Sequence, residues 1–278
     1  MDIMAPISSR KEAEILKKAG ATEFFFGYID ESWIQTFGKQ YKQGFDSDFV
    51  HIAPNKRPNL SANITKKEDV YDLADFASDG EVKLFSVLNT FFYPDIAYPL
   101  LKKHLDVLYD AGIYGLIVTD VAMIEYIHKN YPRFHVVLSC CNQVANSYAA
   151  SFFKGLGVKR ITLPRHISMS EIKALTKNGN SDMEFECFVF DGRCIFDDGN
   201  CKILHNLGHF CHEQWEYDYY STDSNRSITS KDIAYVRDNE CRYKQWIIPE
   251  LSDDLIMVSV DDLDEVIDDM TAINELTT

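Results

Sequence analysis

The chain has 278 residues, 46% of them hydrophobic and 13% aromatic, enough for a full core in one large α/β domain or two small ones. It carries 28 Lys and Arg against 43 Asp and Glu, a formal net charge of −15. That balance opposes a surface built to grip phosphate backbones, which needs clustered cations, so nucleic acid is not expected as a partner, although a local basic pocket stays allowed. The acidity is uneven: 17 acidic and 5 basic residues lie in 213–278, which leaves residues 1–212 at −3.

The first two-thirds of the chain alternates strand and helix patterns. A short apolar strand over 2–7 leads through Ser8 and Ser9, which can cap a helix over 10–19 that Gly20 ends. An aromatic-rich buried strand follows over 22–28. Residues 29–62 are polar and irregular and read as a long loop above a strand end, where an α/β fold meets its ligands. Helix–strand alternation resumes with a helix over 66–78, a strand over 82–90 and an amphipathic helix over 97–111 closed by Gly112. Strands over 115–119, 135–139, 159–163 and 183–190 then alternate with helices over 123–130, 147–155 and 170–177.

Repeated βα units imply parallel strands with right-handed crossovers. No GxGxxG opens a helix after the first strand, so a dinucleotide-binding sheet is disfavoured. The expected fold is therefore a TIM-like (β/α) barrel over 1–190, complete or incomplete. Periodicity stops after Phe190, and residues 191–278 read as a cysteine-bearing appendage with an acidic C-terminal tail.

The seven cysteines are Cys140, Cys141, Cys187, Cys194, Cys201, Cys211 and Cys241. Their number is odd, the first residues lack a basic region followed by an apolar core, and no apolar run reaches the roughly 20 residues that span a bilayer. A reduced, cytoplasmic setting without membrane span or disulfide scaffold is expected. Cys194, Cys201, Cys211 and Cys241 are separated by 6, 9 and 29 residues. Four thiolates brought together from loops can hold a [4Fe–4S] cluster or a tetrahedral Zn²⁺, and a Zn site could recruit His205, His209 or His212. Four unrelated thiols in a loop region are the alternative. CxxxCxxC is absent, as is a GxSxG nucleophile, and His212-Glu213-Gln214-Trp215-Glu216 lacks the second histidine of HExxH. Cys187 reads as packing, and Cys141, just past a strand end, as packing or as a thiol facing a barrel mouth.

Several stretches, in order, resemble the collagenase-like peptidase family U32. Leu88-Asn89-Thr90 is similar to the family's VNT, Thr119-Asp120 to its SDP, and the segment from Leu138-Ser139 to Asn146-Ser147 to its LSTQANVTNS. Gly155-Leu156-Gly157-Val158-Lys159-Arg160, followed by Leu163-Pro164-Arg165, is similar to LGVKRVVLSREL, and Glu186-Cys187-Phe188-Val189 leads to Cys194 as EVFVHGALC does. Cys201, Cys211, Cys241 and Ile248-Pro249-Glu250-Leu251 follow in the family's order. The resemblance implies a TIM-like barrel with four cysteines that bind a [4Fe–4S] cluster. It also implies relatives that hydroxylate quinone precursors or tRNA and rRNA bases without oxygen, beside others known as peptidases. The chain departs from the pattern at Cys141, where the family has Gln, and at His166, where it has Glu.

Asn89, Asp120, Asn146 and Arg165 stand at or just past predicted strand ends, the face where barrels bind substrates, and are the candidate substrate-binding residues. Arg165 could pair with a carboxylate or phosphate, and the two asparagines could offer amide donors and acceptors. Capping of helices is the competing role for all four. The expected function is an iron–sulfur-dependent, oxygen-independent hydroxylation or related redox change of a small-molecule or peptide-borne substrate. The alternatives are a U32-type peptidase, a non-catalytic metal-bearing subunit of a hetero-complex, and an RNA-base hydroxylase.

Overall fold

A computed structural model describes residues 2–38, 52–57, 60–165, 167–177 and 182–188, together with the backbone of 219–220, 227–228 and 255–258. The strands are β1 (Ile3–Pro6), β2 (Glu23–Tyr28), β3 (Asn63–Ile64), β4 (Lys83–Leu88), β5 (Gly115–Val118), β6 (His135–Leu138), β7 (Arg160–Thr162), β8 (Glu184–Phe188), β9 (Tyr219–Tyr220), β10 (Ser227–Ile228) and β11 (Leu255–Val258). Parallel pairing runs β1–β2–β4–β5–β6–β7–β8–β11 and returns to β1, so these strands form a ring. β3 adds to the upper end of β2, and β9 pairs with β10 in a separate antiparallel ribbon. This is the TIM-like barrel that the βα repetition predicts. Its last stave, β11, comes from the segment read in the sequence as cysteine-bearing appendage. Cys194, Cys201, Cys211 and Cys241 lie outside the described residues.

The helices are α1 (Arg10–Ala19), α2 (Glu31–Phe37), α3 (Lys67–Phe76), α4 (Tyr98–Ala111), α5 (Val121–Asn130), α6 (Ser147–Gly155) and α7 (Met169–Lys177). Their ends follow local chemistry. The Ser9 hydroxyl accepts from Glu12 N, while the Glu12 carboxylate accepts from Ser8 N at 2.6 Å, so two N-terminal donors of the α1 segment are satisfied. Gly20, at φ 111°, turns the chain out of α1 as its N–H reaches back to Leu16 and Lys17. Helix α2 falls inside the stretch read as loop, and strand β3 follows directly after that stretch. α2 has seven residues and buries only Trp33 and Phe37, a pair too short to show a period. Asp30 caps it by accepting from Trp33 N at 2.7 Å, and the Trp33 indole donates to the carbonyl of Ile52, which fastens the following segment.

Strand alternation divides the core in two. On β2, Phe24, Phe26 and Tyr28 face the helical layer, where they pack with Leu16, Leu73 and Leu101. Phe25 faces the other way, against the interior cluster of Met4, Phe85, Val87, Ile117 and Val137. These five fill the middle of the ring, so the barrel is a packed core and only its two ends can bind anything.

The end formed by strand N-termini is charged. Arg160 donates through Nη1 and Nη2 to Glu23 at 2.6 and 3.1 Å and through Nε to Glu184 at 2.7 Å. Lys83 adds a second cation to Glu23 at 3.1 Å. Glu186, one layer above, lies 3.6 Å from Arg160 Nη1 and accepts from the Thr162 hydroxyl at 3.0 Å. Burial pushes the Glu186 carboxyl up to about 7, with Arg160 pulling it down and Glu23 pushing further up. Burial also raises Glu184, but His135 beside it and the charge of Arg160 more than reverse this and hold it at about 2. This network closes the floor of the ring.

Candidate functional site

The opposite end, where the strands finish, carries neutral hydrogen-bonding groups. The inward register of Phe85 and Val87 continues to Asn89, that of Ile117 to Thr119, and that of Val137 to Ser139. Asn89 Oδ1 accepts from the backbone N–H of Lys56 at 2.9 Å, which draws the 52–57 segment over the rim. Thr90 and Tyr93 hold the same segment, donating to the carbonyls of Ala53 at 2.8 Å and Pro54 at 2.6 Å. Asn55 and Asn63 pair at 2.7 Å, and Asn63 Nδ2 donates to the Arg57 carbonyl at 2.7 Å. Gly27 makes this approach possible: a Cβ there would stand 2.1 Å from Asn63 Oδ1.

Lys56 is one cation of the mouth. Its ammonium lies 4.6 Å from the centre of the Phe91 ring and donates toward Cys141 Sγ at 3.5 Å. Cys141 is buried in the short turn Cys140–Asn142 that follows β6. Asn142 Nδ2 in that turn donates to the Thr119 carbonyl at 3.0 Å, and the Thr119 hydroxyl donates to the Asn89 carbonyl at 3.1 Å. A continuous polar path therefore joins the ends of β4, β5 and β6.

Two of the four sequence candidates act as helix caps. Asp120 is buried, with Oδ1 accepting from Met123 N and Oδ2 from Tyr93 N, both at 3.0 Å, so it fastens α5 and the 91–97 loop together. Burial first, and then the Asp120 charge, raise the Tyr93 hydroxyl above its ordinary range, which keeps it a neutral donor to Pro54. Asn146 is exposed and caps α6, accepting from Ala149 N at 2.9 Å. Asn89 and Arg165 belong to the mouth. The half-buried Arg165 guanidinium sits 5.3 Å from the centre of the Phe188 ring, past the end of β7.

The sequence reading passed over Lys56, Asn142 and Gln143. Lys56 lies in a segment with no period, and the only signal was that such a segment sits above a strand end. Gln143 carries a backbone signature that sequence does not show: its φ is 51°, the one positive value at a non-glycine among the described residues. The described histidines lie away from the mouth. His104 is in the helical layer against Tyr28, where burial lowers it to about 4, His128 is on α5, and His135 is at the floor.

A parallel (β/α) barrel with a charged floor and an amide-lined mouth defines the class. Within it, the chain belongs to peptidase family U32, whose profile matches residues 34–273. The tRNA hydroxylation protein P1 of Bacillus subtilis (strain 168) is 26% identical over 235 residues, covering 82% of this chain and 49% of that protein. The 23S rRNA 5-hydroxycytidine C2501 synthase of Escherichia coli (strain K12) is 26% identical over 182 residues, 62% of this chain and 27% of that protein. A collagenase of Porphyromonas gingivalis is 25% identical over 212 residues, 73% of this chain and 44% of that protein. The chain thus spans half or less of the length of these curated relatives. The structure of the U32 peptidase Mk0906 shares the fold, with a TM-score of 0.50 at 12% identity over 94% of this chain and 93% of that one.

These relatives overturn the expectation that nucleic acid is not a partner, since two of them are named for hydroxylating tRNA or rRNA. The physical error was to average charge over the chain. Residues 213–278 hold most of the excess acid, whereas residues 1–212 are near balance at −3 and present Lys56 and Arg165 at the mouth. Among the described residues no helix is long and apolar enough to cross a membrane.

Proposed function

We propose that this chain hydroxylates a nucleobase of RNA held at the barrel mouth. The observation that carries the reading is the pairing of cations with aromatic rings beside an amide: Lys56 over Phe91 and Arg165 over Phe188, with Asn89 at the end of β4 accepting from Lys56 N–H. Single-stranded RNA is recognised in this manner, by stacking on aromatic and guanidinium planes and by hydrogen bonds to base edges. Exposed Phe92 and Tyr148, at 72% and 88%, extend the apolar surface beside the mouth for flanking nucleotides. Relatives that hydroxylate tRNA and rRNA bases support an RNA base over the small-molecule or peptide-borne substrate expected first.

In this reading, Asn89 orients the Lys56 segment, Lys56 and Arg165 hold the anionic backbone, and the packed interior excludes water from below. The donor set Cys194, Cys201, Cys211 and Cys241 has the chemistry for a [4Fe–4S] cluster, with zinc as the competing ion. When bound, such a cluster would carry electrons one at a time, and because making C–OH from C–H and water takes two electrons and two protons from the base, it would act there as an electron acceptor. A reduced, cytoplasmic setting suits these thiols.

The test is nucleoside mass spectrometry of tRNA and rRNA from cells with and without the gene. Loss of a nucleoside one oxygen heavier than its parent on deletion supports the reading. Unchanged nucleosides, with peptide cleavage by the purified protein, would favour the peptidase alternative that the collagenase relative represents.

A further inference from the structure

The turn after β6 holds two polar atoms that nothing in the mouth uses. Asn142 Oδ1 and Gln143 Nε2 are both buried and have no hydrogen-bond partner among the described residues. A buried amide atom left in this state costs free energy, so its retention calls for an occupant. The amide of Asn142 cannot be turned round, because its Nδ2 donates to the Thr119 carbonyl at 3.0 Å and an oxygen there would face an oxygen. Its free end is therefore an acceptor. The Gln143 end is a donor, and the residue reaches its place only through a left-handed backbone, φ 51°, which a side-chain-bearing residue adopts at a cost. Gln143 N–H donates to the Cys140 carbonyl at 3.0 Å, and Asn142 N–H to the Ser139 carbonyl at 3.0 Å, so the turn is held by its own backbone.

We infer that Asn142 Oδ1 and Gln143 Nε2 are a fixed acceptor–donor pair that reads the Watson–Crick edge of the base presented at the mouth. The inference rests on the RNA-base reading above and deepens it by naming what selects the base. An edge that places one N–H beside one C=O satisfies both atoms; uracil, through N3–H and an adjacent carbonyl, is the simple case. The pair follows the end of β6, and the polar path through Thr119 and Asn89 ties it to the segment that carries Lys56. Lys56 and Arg165 then act on the backbone and are blind to the base, which is the usual division between positioning and specifying contacts.

The full chain is titrated, by fluorescence anisotropy, with a labelled single-stranded oligoribonucleotide carrying one central uridine, 3-methyluridine or abasic site. The unmodified protein is expected to prefer uridine over 3-methyluridine by about tenfold, the scale of one or two hydrogen bonds left unmade. Gln143→Glu sets an acceptor against the base carbonyl and should lower the affinity for uridine and 3-methyluridine alike, each by about tenfold relative to the abasic strand. Gln143→Asn keeps an amide in a residue tolerant of positive φ and should retain part of that affinity, which separates recognition from damage to the turn. A ratio of uridine to abasic affinity that is the same in the unmodified protein and in Gln143→Glu overturns the inference and leaves the RNA-base reading standing. Binding of all three oligonucleotides with no preference does the same. No binding of any oligonucleotide overturns both.

Discussion

Glu23 and Arg160 stand 137 residues apart in sequence and meet across the barrel floor through two hydrogen bonds of 2.6 and 3.1 Å. Their strands, β2 and β7, are opposite staves of the ring, so the pair spans its diameter. Both side chains are fully buried. Burial lowers the Arg160 pKa, and the bonds and charges of Glu23, Glu186 and Glu184 raise it further than burial lowers it, so the guanidinium stays charged.

Removing that charge takes the cation from buried Glu186 and leaves buried Glu23 with Lys83 alone. Arg160→Met should cost about 3–5 kcal/mol in urea unfolding, since an uncompensated buried charge is dearer than a missing pair. The double change Arg160→Met with Glu23→Gln should recover part of the loss. A single change worth less than about 1 kcal/mol would mean that the floor does not organise the barrel.

Glu186 gives stability a pH dependence of definite sign. Its folded pKa, about 7, lies above the ordinary 4.5, so the fold favours the protonated form. That contribution is complete below about 4.5 and is lost as pH climbs through 7. Glu184, lowered to about 2, acts outside this window: its contribution is present above 4.5 and lost as pH falls through 2. Thermal unfolding between pH 5 and 8 should therefore show a decline that Glu186→Gln flattens. A parallel decline in both proteins would assign it to another group.

Asp120→Ala removes a cap and leaves the Tyr93 N–H without its acceptor. The expected loss is about 2–3 kcal/mol, measured by chemical denaturation, the cap contributing about 1 and the unmade bond the rest. Asp120→Asn, which keeps an acceptor, should lose less.

The cysteine quartet makes a separate prediction. Anaerobic purification followed by iron, sulfide and zinc analysis should give iron and sulfide in equal amounts, and Cys→Ala at Cys194, Cys201, Cys211 or Cys241 should remove them. Cys187→Ala should keep the metal: the thiol is buried in the helical-layer core and pushed up to about 12 by burial and then by Glu186, which makes it inert. Zinc without iron or sulfide would contradict the assignment.

Elements whose signals are local were legible in the sequence. The capped helix over 10–19 and the helix over 147–155 are found at those bounds, because Ser9, Gly20 and Asn146 announce their ends. The barrel followed from the βα repetition and from the absence of GxGxxG after the first strand. α2 was not legible, because two buried side chains do not make a period. The floor was not legible either, because Glu23 and Arg160 become neighbours only when the ring forms. At the mouth, strand ends pointed to Asn89 and Arg165, but Lys56 is brought in by a loop and Gln143 by a backbone angle, and neither leaves a mark in composition or spacing.

The most direct test of a base-modifying barrel mouth is complementation of the deletion strain, read by nucleoside mass spectrometry. The unmodified gene and the surface variant Lys129→Ala should restore the hydroxylated nucleoside. Asn89→Ala and Arg165→Met, produced at equal levels, should reduce it at least about tenfold, as expected when a positioning contact is lost. Full restoration by both mouth variants would contradict the account.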